Sequence, residues 1–464
     1  MTNGNYKELS VYQKISRDLE ELAKYDTRYS KRVEALKTLL DIALSESDAE
    51  EGLKESLQMQ EIIFSDGKEM ILEFLNQGYY NLVVKPDVYT FLASRIFKVK
   101  QSDSWRGKKS CEIGYKKEEK EAFNAMIFVL LLIYREQVEN KEFDKMAVIS
   151  YIIRRLIKKS YTWDSKPENK AMFLESVKGY DKFEMAYARA ETIDEVGFVF
   201  TAMIHGYAEK ITPEEESLFQ LAKAIADYVE FKQIQHYIFK EERKKTKREI
   251  KIRLRQKLKM SGIQKCVTKD FISLLERISW GRNTIRWQGD GYTVDCSILS
   301  HMLETAIFGW LMGLERNQLS LAEDAFFVGL FHDLPEIWTD DIPSPCKDCI
   351  RLTGGKILRP LTEELERASL VKYFYPMLNP QVAEYCKRNI VLEEINDKDF
   401  HDLIKKADYF SADYELWWNI VCGGRNVKFY DILKASVAKN RTPATTKVLE
   451  NMLEQLQGVK FLKP

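Results

Sequence analysis

Glycine and proline are scarce in this chain. There are 21 Gly and 11 Pro among 464 residues, about 4.5% and 2.4% against average usage near 7% and 5%. An all-β sandwich or barrel needs a turn every ten residues or so, and this chain cannot supply them. Long helices are the expected alternative. Long apolar runs are also missing. The longest, Ala125 to Tyr134 (AMIFVLLLIY), is about half the roughly 20 residues that a membrane span requires. It reads as a buried helix, and no membrane partner is expected. Charge of one sign is absent overall, since 71 basic side chains balance 71 acidic ones. That balance speaks against bulk attraction to nucleic acid. Cysteine is sparse and odd in number, at seven, with no framework spacing. The first residues, MTNGNYKELSVYQ, lack the apolar core of a signal peptide. Reduced thiols and a cytoplasmic location are therefore expected. Histidine is scarcest of all: His205, His236, His301, His332 and His401.

What is present is helical patterning. A hydrophobic content of 45% supports a real core. Amphipathic stretches run through residues 6–58, 68–98, 118–139, 142–159 and 213–235. Residues 240–259 (KEERKKTKREIKIRLRQKLK) carry 11 basic and 3 acidic side chains, with neither Gly nor Pro. They read as an exposed connecting helix. The organisation expected is all-α, with an N-terminal helical domain over 1–236, the basic helix over 237–261 and a second helical domain over 262–464. A solvated face is the plain reading of the basic run, and nucleic acid is a weaker one because interleaved aromatics are absent.

The chemistry concentrates in residues 276–347, centred on AEDAFFVGLFHDLPEIWTDDIPSPCKD. An apolar helix from Ala325 to Phe331 ends in His332-Asp333. Pro335 is tolerated only in the first turn of a following helix, so the chain bends directly after that pair. Imidazole and carboxylate are both ligands for divalent metals. Upstream, His301 lies at the edge of the apolar face of SILSHMLETAIFGWLMGL. Downstream, Asp408 sits in the amphipathic DLIKKADYFSADYELWW. Four groups from three helices can converge: His301, His332, Asp333 and Asp408. Two imidazoles with two carboxylates suit one divalent transition metal (Mn, Co, Fe, Ni or Zn, with Mg also open) more than Ca²⁺. A single His on an apolar helix is usually a packed core residue, and His401-Asp402 shows how weak the dipeptide is alone. The company of Glu336, Asp340, Asp341 and Pro-Ser-Pro in one short run is what favours a site.

These residues resemble the HD-domain metal-dependent phosphohydrolases, whose pattern is His…His-Asp…Asp. The run FHDLPEIWTDDIPSPCK is similar to the bacterial HD-domain 5′-deoxynucleotidases, whose motif reads HDxxEvxTgDxPtPvK. His332, Asp333, Glu336, Thr339, Asp341, Pro343, Pro345 and Lys347 fall on it. Asp340, Ser344 and Cys346 depart from the usual Gly, Thr and Val. RWQG at Arg286–Gly289 matches an Arg-Trp pair upstream of the first His, and the likeness covers about residues 265–440. It implies an HD fold in the C-terminal half and removal of phosphate from a nucleoside (deoxy)monophosphate, with a small-molecule nucleotide as partner. It also implies roles. Glu336 and Asp341 would be catalytic. Arg286, Trp287 and Lys347 would bind substrate. His301, His332, Asp333 and Asp408 would hold the metal. A phosphodiesterase or nucleoside triphosphate hydrolase of the same superfamily, or a nucleotide-sensing scaffold, are the alternatives, and a homodimer through a helical face stays open.

The N-terminal half suggests a degenerate copy. AVISYIIRRLIKKSYTWDSKPENK, from Ala147, parallels AFFVGLFHDLPEIWTDDIPSPCK, from Ala325. Arg154-Arg155 would stand where His332-Asp333 stands, Ala122 near the place of His301, and Asp227 near that of Asp408. Such a copy would have no metal site, because guanidinium repels a cation.

Overall fold

The computed structural model describes residues 3–25, 30–45, 64–101, 116–162, 180–286, 296–339, 358–392, 395, 397–424, 427–437, 439 and 442–457. Among these residues the protein is all-α. Extended backbone pairs only as isolated bridges, one of them antiparallel between Ile285 and Ser297. The shortage of Gly and Pro has its expected consequence, and the remaining punctuators mark helix ends. Thr212 and Thr442 cap helices that begin with Pro213 and Pro443, where a missing N–H costs nothing. Asn140 and Gly262 take left-handed conformations at the ends of two others.

The chain divides into two compact units. The first comprises residues 1–96, 144–211 and 314–319. Its heart is the pair of helices Lys145–Tyr161 and Phe198–Ala208. Asp144 caps the first by accepting from Ala147 N at 2.9 Å. His205 is buried here, with its ring edge-on to Phe64 at 5.6 Å. Burial, then Arg154, Arg189 and Lys68, hold its pKa well below the usual value. It is a neutral packed residue.

The second unit comprises residues 97–143, 212–313 and 320–464. Helix Lys117–Glu139 packs against Pro213–Ile234 and Pro380–Asn389. Its apolar run from Ala125 to Tyr134 is buried throughout. No helix among the described residues is long and apolar enough to cross a membrane. The basic helix, Lys240–Ser261, buries Thr246 and Ile250. Ile250 joins a cluster with Phe231, Ile234 and Ile238. Arg253 adds an ion pair to Asp227 at 2.5 Å.

These units do not follow the linear partition into 1–236, 237–261 and 262–464. Helices Lys117–Glu139 and Pro213–Ile234 bury their apolar faces within the second unit, while the residues between them, 144–211, belong to the first. The three segments of the suggested N-terminal copy are thus shared between the units. Lys145–Tyr161 lies in the first, and the other two helices lie in the second.

Candidate metal centre

The site is built on three helices of the second unit. Ile298–Glu315 carries His301, whose amide closes the first turn by donating to Ser297 O at 3.1 Å. The Ile285–Ser297 bridge ties the preceding residues to this helix start. Arg286 N donates to Cys296 O at 2.8 Å, which holds Arg286 beside the His301 turn. Lys398–Val421 carries Asp408 and is capped by Asp397, which accepts from Phe400 N at 3.0 Å. Leu403, Ile404, Ala407 and Phe410 form its buried face, and Asp408 stands at that face's edge.

The third helix, Leu319–Gly329, stops two residues earlier than the apolar pattern from Ala325 to Phe331 suggests. The cause is local. His332 Nδ1 donates to the free carbonyl of Gly329 at 2.8 Å, so the imidazole itself satisfies the helix end. Residues 330–335 then form turns, and a short helix, Glu336–Thr339, starts directly after Pro335. With Nδ1 committed as a donor, His332 Nε2 carries the lone pair. That nitrogen is buried and has no hydrogen-bond partner.

His332 Nε2 lies 3.3 Å from Asp333 Oδ2, and His301 Nε2 lies 3.6 Å from the same oxygen. His301 Nε2 also lies 2.9 Å from Asp408 Oδ1. Potential ligand atoms of His301, His332 and Asp333 all fall within 4.8 Å of one another. The imidazoles are buried, at 0% and 4% side-chain exposure, while Asp333 and Asp408 reach 18% and 30%. The carboxylate side is therefore the open side. Arg286 joins from the flank, with Nη1 at 3.1 Å from Asp333 Oδ2 and Nε at 3.7 Å from Glu415 Oε2.

The electrostatics are those of a cation site. Burial alone would raise the carboxyl of Asp333, yet His332, His301 and Arg286 outweigh it and hold the group well below the usual range. Asp408 is lowered against its own burial by the hydrogen bond and charge of His301. Glu415 is likewise lowered to about 2, with burial overridden by Arg286, His301 and Lys100. His301 responds in the opposite sense. Burial and Arg286 push it down, but Asp408 and Glu415 lift it to about 10. Without a metal, the imidazolium is the cation that these carboxylates surround. A divalent ion fits in its place. His301, His332 and Asp333 supply two nitrogens and a carboxylate at ligand spacing, Asp408 adds a second carboxylate beside His301, and His332 Nε2 is buried without a hydrogen bond.

Residues 270–456 match the family model of the YfbR-like 5′-deoxynucleotidases. This is an HD-domain family, and the segment contains His301, His332, Asp333 and Asp408. No curated protein and no solved structure matches the chain. The YfbR-like segment covers the C-terminal part of the second unit and begins after the basic helix. The remainder of that unit, including Lys117–Glu139, lies outside it.

The structure thus gathers five of the residues named from sequence: His301, His332, Asp333, Asp408 and Arg286. Glu336 is largely buried in the first turn of its short helix, with its amide donating to Asp333 O at 3.1 Å. Trp287, Asp341 and Lys347 lie outside the described residues. His401 stands apart from the cluster, with Nε2 at 2.5 Å from Ile395 O. Sequence reasoning gave no role to Ser411 or Glu415. Both touch His301 Nδ1, Ser411 Oγ at 3.1 Å and Glu415 Oε1 at 3.6 Å. The signal was their spacing, three and seven residues beyond Asp408 on one helix face.

Proposed function

We propose that this protein is a metal-dependent phosphohydrolase that removes phosphate from a nucleoside (deoxy)monophosphate. The observation that carries the reading is the cluster of His301, His332 and Asp333 at ligand spacing, with the buried Nε2 of His332 making no hydrogen bond and Asp408 beside His301, within the segment that matches the YfbR-like 5′-deoxynucleotidases. His301, His332, Asp333 and Asp408 would hold a divalent ion, which would supply Lewis acidity and neutralise charge on the phosphoryl group. Mn²⁺, Co²⁺, Fe²⁺, Ni²⁺ and Zn²⁺ all suit mixed nitrogen and oxygen ligands.

The protein's own groups do the rest. Asp333 and Asp408 stay ionised, so their oxygens are available as ligands at neutral pH. Arg286, beside Asp333, would clamp the phosphate of the substrate through its guanidinium. Glu336 is the carboxylate assigned to proton transfer, taking a proton from the attacking water or giving one to the leaving oxygen. The family resemblance adds Asp341, Trp287 and Lys347 as groups that orient, stack on and hold the substrate.

The ligand set favours a monoesterase over a two-metal phosphodiesterase. Among the described residues, His301, His332 and Asp333 are the group with metal-ligand spacing. Phosphate release from a panel of 5′-nucleoside monophosphates with Mn²⁺ or Co²⁺ tests the proposal. No release from any member of the panel, with metal demonstrably bound, rejects it in favour of a nucleotide-binding scaffold.

A further inference from the structure

Behind the metal-facing edge of His301 lies a buried polar chain within the same unit. Ser411 Oγ sits 3.1 Å from His301 Nδ1 and donates to Glu304 Oε2 at 2.9 Å. A hydroxyl has one proton. With that proton spent on Glu304, Ser411 offers His301 only a lone pair. Nδ1 must then be a donor, which leaves Nε2 as the nitrogen that gives up its proton to an entering cation. Glu415 Oε1, at 3.6 Å from Nδ1, favours the same tautomer.

This arrangement holds only while Glu304 is an acceptor. Glu304 is 4% exposed, and a carboxylate so buried needs a cation. Lys100 supplies it. Lys100 is 5% exposed, with Nζ at 3.4 Å from Glu304 Oε1 and 2.9 Å from Cys296 Sγ. Burial pushes the Cys296 thiol well above its usual pKa, so Glu304 is the charge partner of Lys100. Lys100 ends helix Pro86–Lys100, and Phe97, one turn earlier, stacks on Trp418 of the Asp408 helix at 3.5 Å. On the far side, Ser300 Oγ donates to Glu118 Oε2 at 2.6 Å and lies 3.4 Å from Glu304 Oε1.

Lys100 and Glu118 both precede residue 270, where the YfbR-like match begins. We propose that Lys100 is a positioning residue for the metal centre: through Glu304 and Ser411 it fixes the tautomer and orientation of His301, so that chain outside the YfbR-like segment completes the metal site. The proposal rests on the metal reading above.

The test is calorimetric titration of the full-length protein with Mn²⁺ alone, paired with thermal melts. Ser411→Ala and Lys100→Met are each expected to weaken Mn²⁺ binding about 10- to 100-fold. Lys100→Met/Glu304→Leu removes both buried charges together. It should recover the melting temperature but not the Mn²⁺ affinity, because the Ser411 proton is then free to turn to His301 Nδ1. A double variant that recovers both makes Lys100 merely structural and overturns the proposal. So does wild-type Mn²⁺ affinity in Ser411→Ala, a variant that keeps its fold even if Lys100→Met does not. A wild-type protein that takes up none of Mn²⁺, Co²⁺, Fe²⁺, Ni²⁺ and Zn²⁺ fails one step earlier, at the metal reading, and overturns both.

Discussion

A side-chain carbon on Gly329 would lie 2.8 Å from the Cα of Ala306. The same closeness recurs along the two helices. A carbon on Gly309 would meet Ala325 O at 3.3 Å, and one on Gly313 would meet the Cα of Ala322 at 2.4 Å. The pairs 306/329, 309/325 and 313/322 form an antiparallel seam of small residues. Followed towards the start of the first helix, that register brings His301 opposite His332, and the ring centroids are 5.2 Å apart. Gly329→Ala must therefore push the helices apart beside His301 and His332. Overpacking of this kind costs about 1–3 kcal/mol. The expected result is a lower melting temperature together with weaker Mn²⁺ binding.

Removing a ligand should abolish catalysis without unfolding the protein. His332→Ala deletes the nitrogen that makes no hydrogen bond and leaves the rest of the cluster in place. Loss of the several kcal/mol that a metal contributes to phosphoryl transfer predicts a drop of about a thousandfold in phosphate release. Bound metal should fall in parallel by elemental analysis, with helical circular dichroism unchanged.

Metal uptake should release a proton. His301, lifted to about 10 by Asp408 and Glu415 against burial and Arg286, is an imidazolium in the metal-free protein at neutral pH. A cation entering the site displaces that proton. Mn²⁺ affinity should therefore rise about tenfold per pH unit from neutrality towards pH 10. Calorimetry in two buffers of different ionisation heat counts the proton directly. In the metal-free protein the same raised pKa adds stability in full below the unfolded value near 6.5. That stability is lost as pH rises through 10.

Glu118, bonded to Ser300 behind His301, gives a second pH signature. Burial is the main cause raising its carboxyl from 4.5 to about 8, against the lowering effect of Lys100. Between those values the folded protein holds a proton that the unfolded chain has lost. Stability must fall as pH rises through that window. Glu118→Gln keeps an acceptor for Ser300 and has no such proton. Its urea midpoint should change less between pH 5 and pH 8 than that of the wild type.

Much of the site was legible because its signals are local. His332-Asp333 stands at the end of an apolar helix and before a proline, so a bend that frees both side chains follows from the order of residues. His301 and Asp408 each lie at the edge of an apolar stripe, where a polar group can reach inward. Ser411 and Glu415 share the face of Asp408, but nothing in their own segment says what that face meets. The helix end at Gly329 was equally hidden, since an imidazole that caps its own helix leaves no mark in the apolar pattern.

By itself, the sequence determined the all-α class, through its shortage of turn-formers, and named four candidate metal ligands, through chemistry and helical spacing. Tertiary structure alone decided two things. It assigned helices Lys117–Glu139 and Pro213–Ile234 to the unit of the metal centre, because an apolar face names no partner until another face covers it. It also joined Lys100, Glu304 and Ser411 behind His301. A buried charge must find its counter-charge in space, and the one that Glu304 finds lies 204 residues away in the chain.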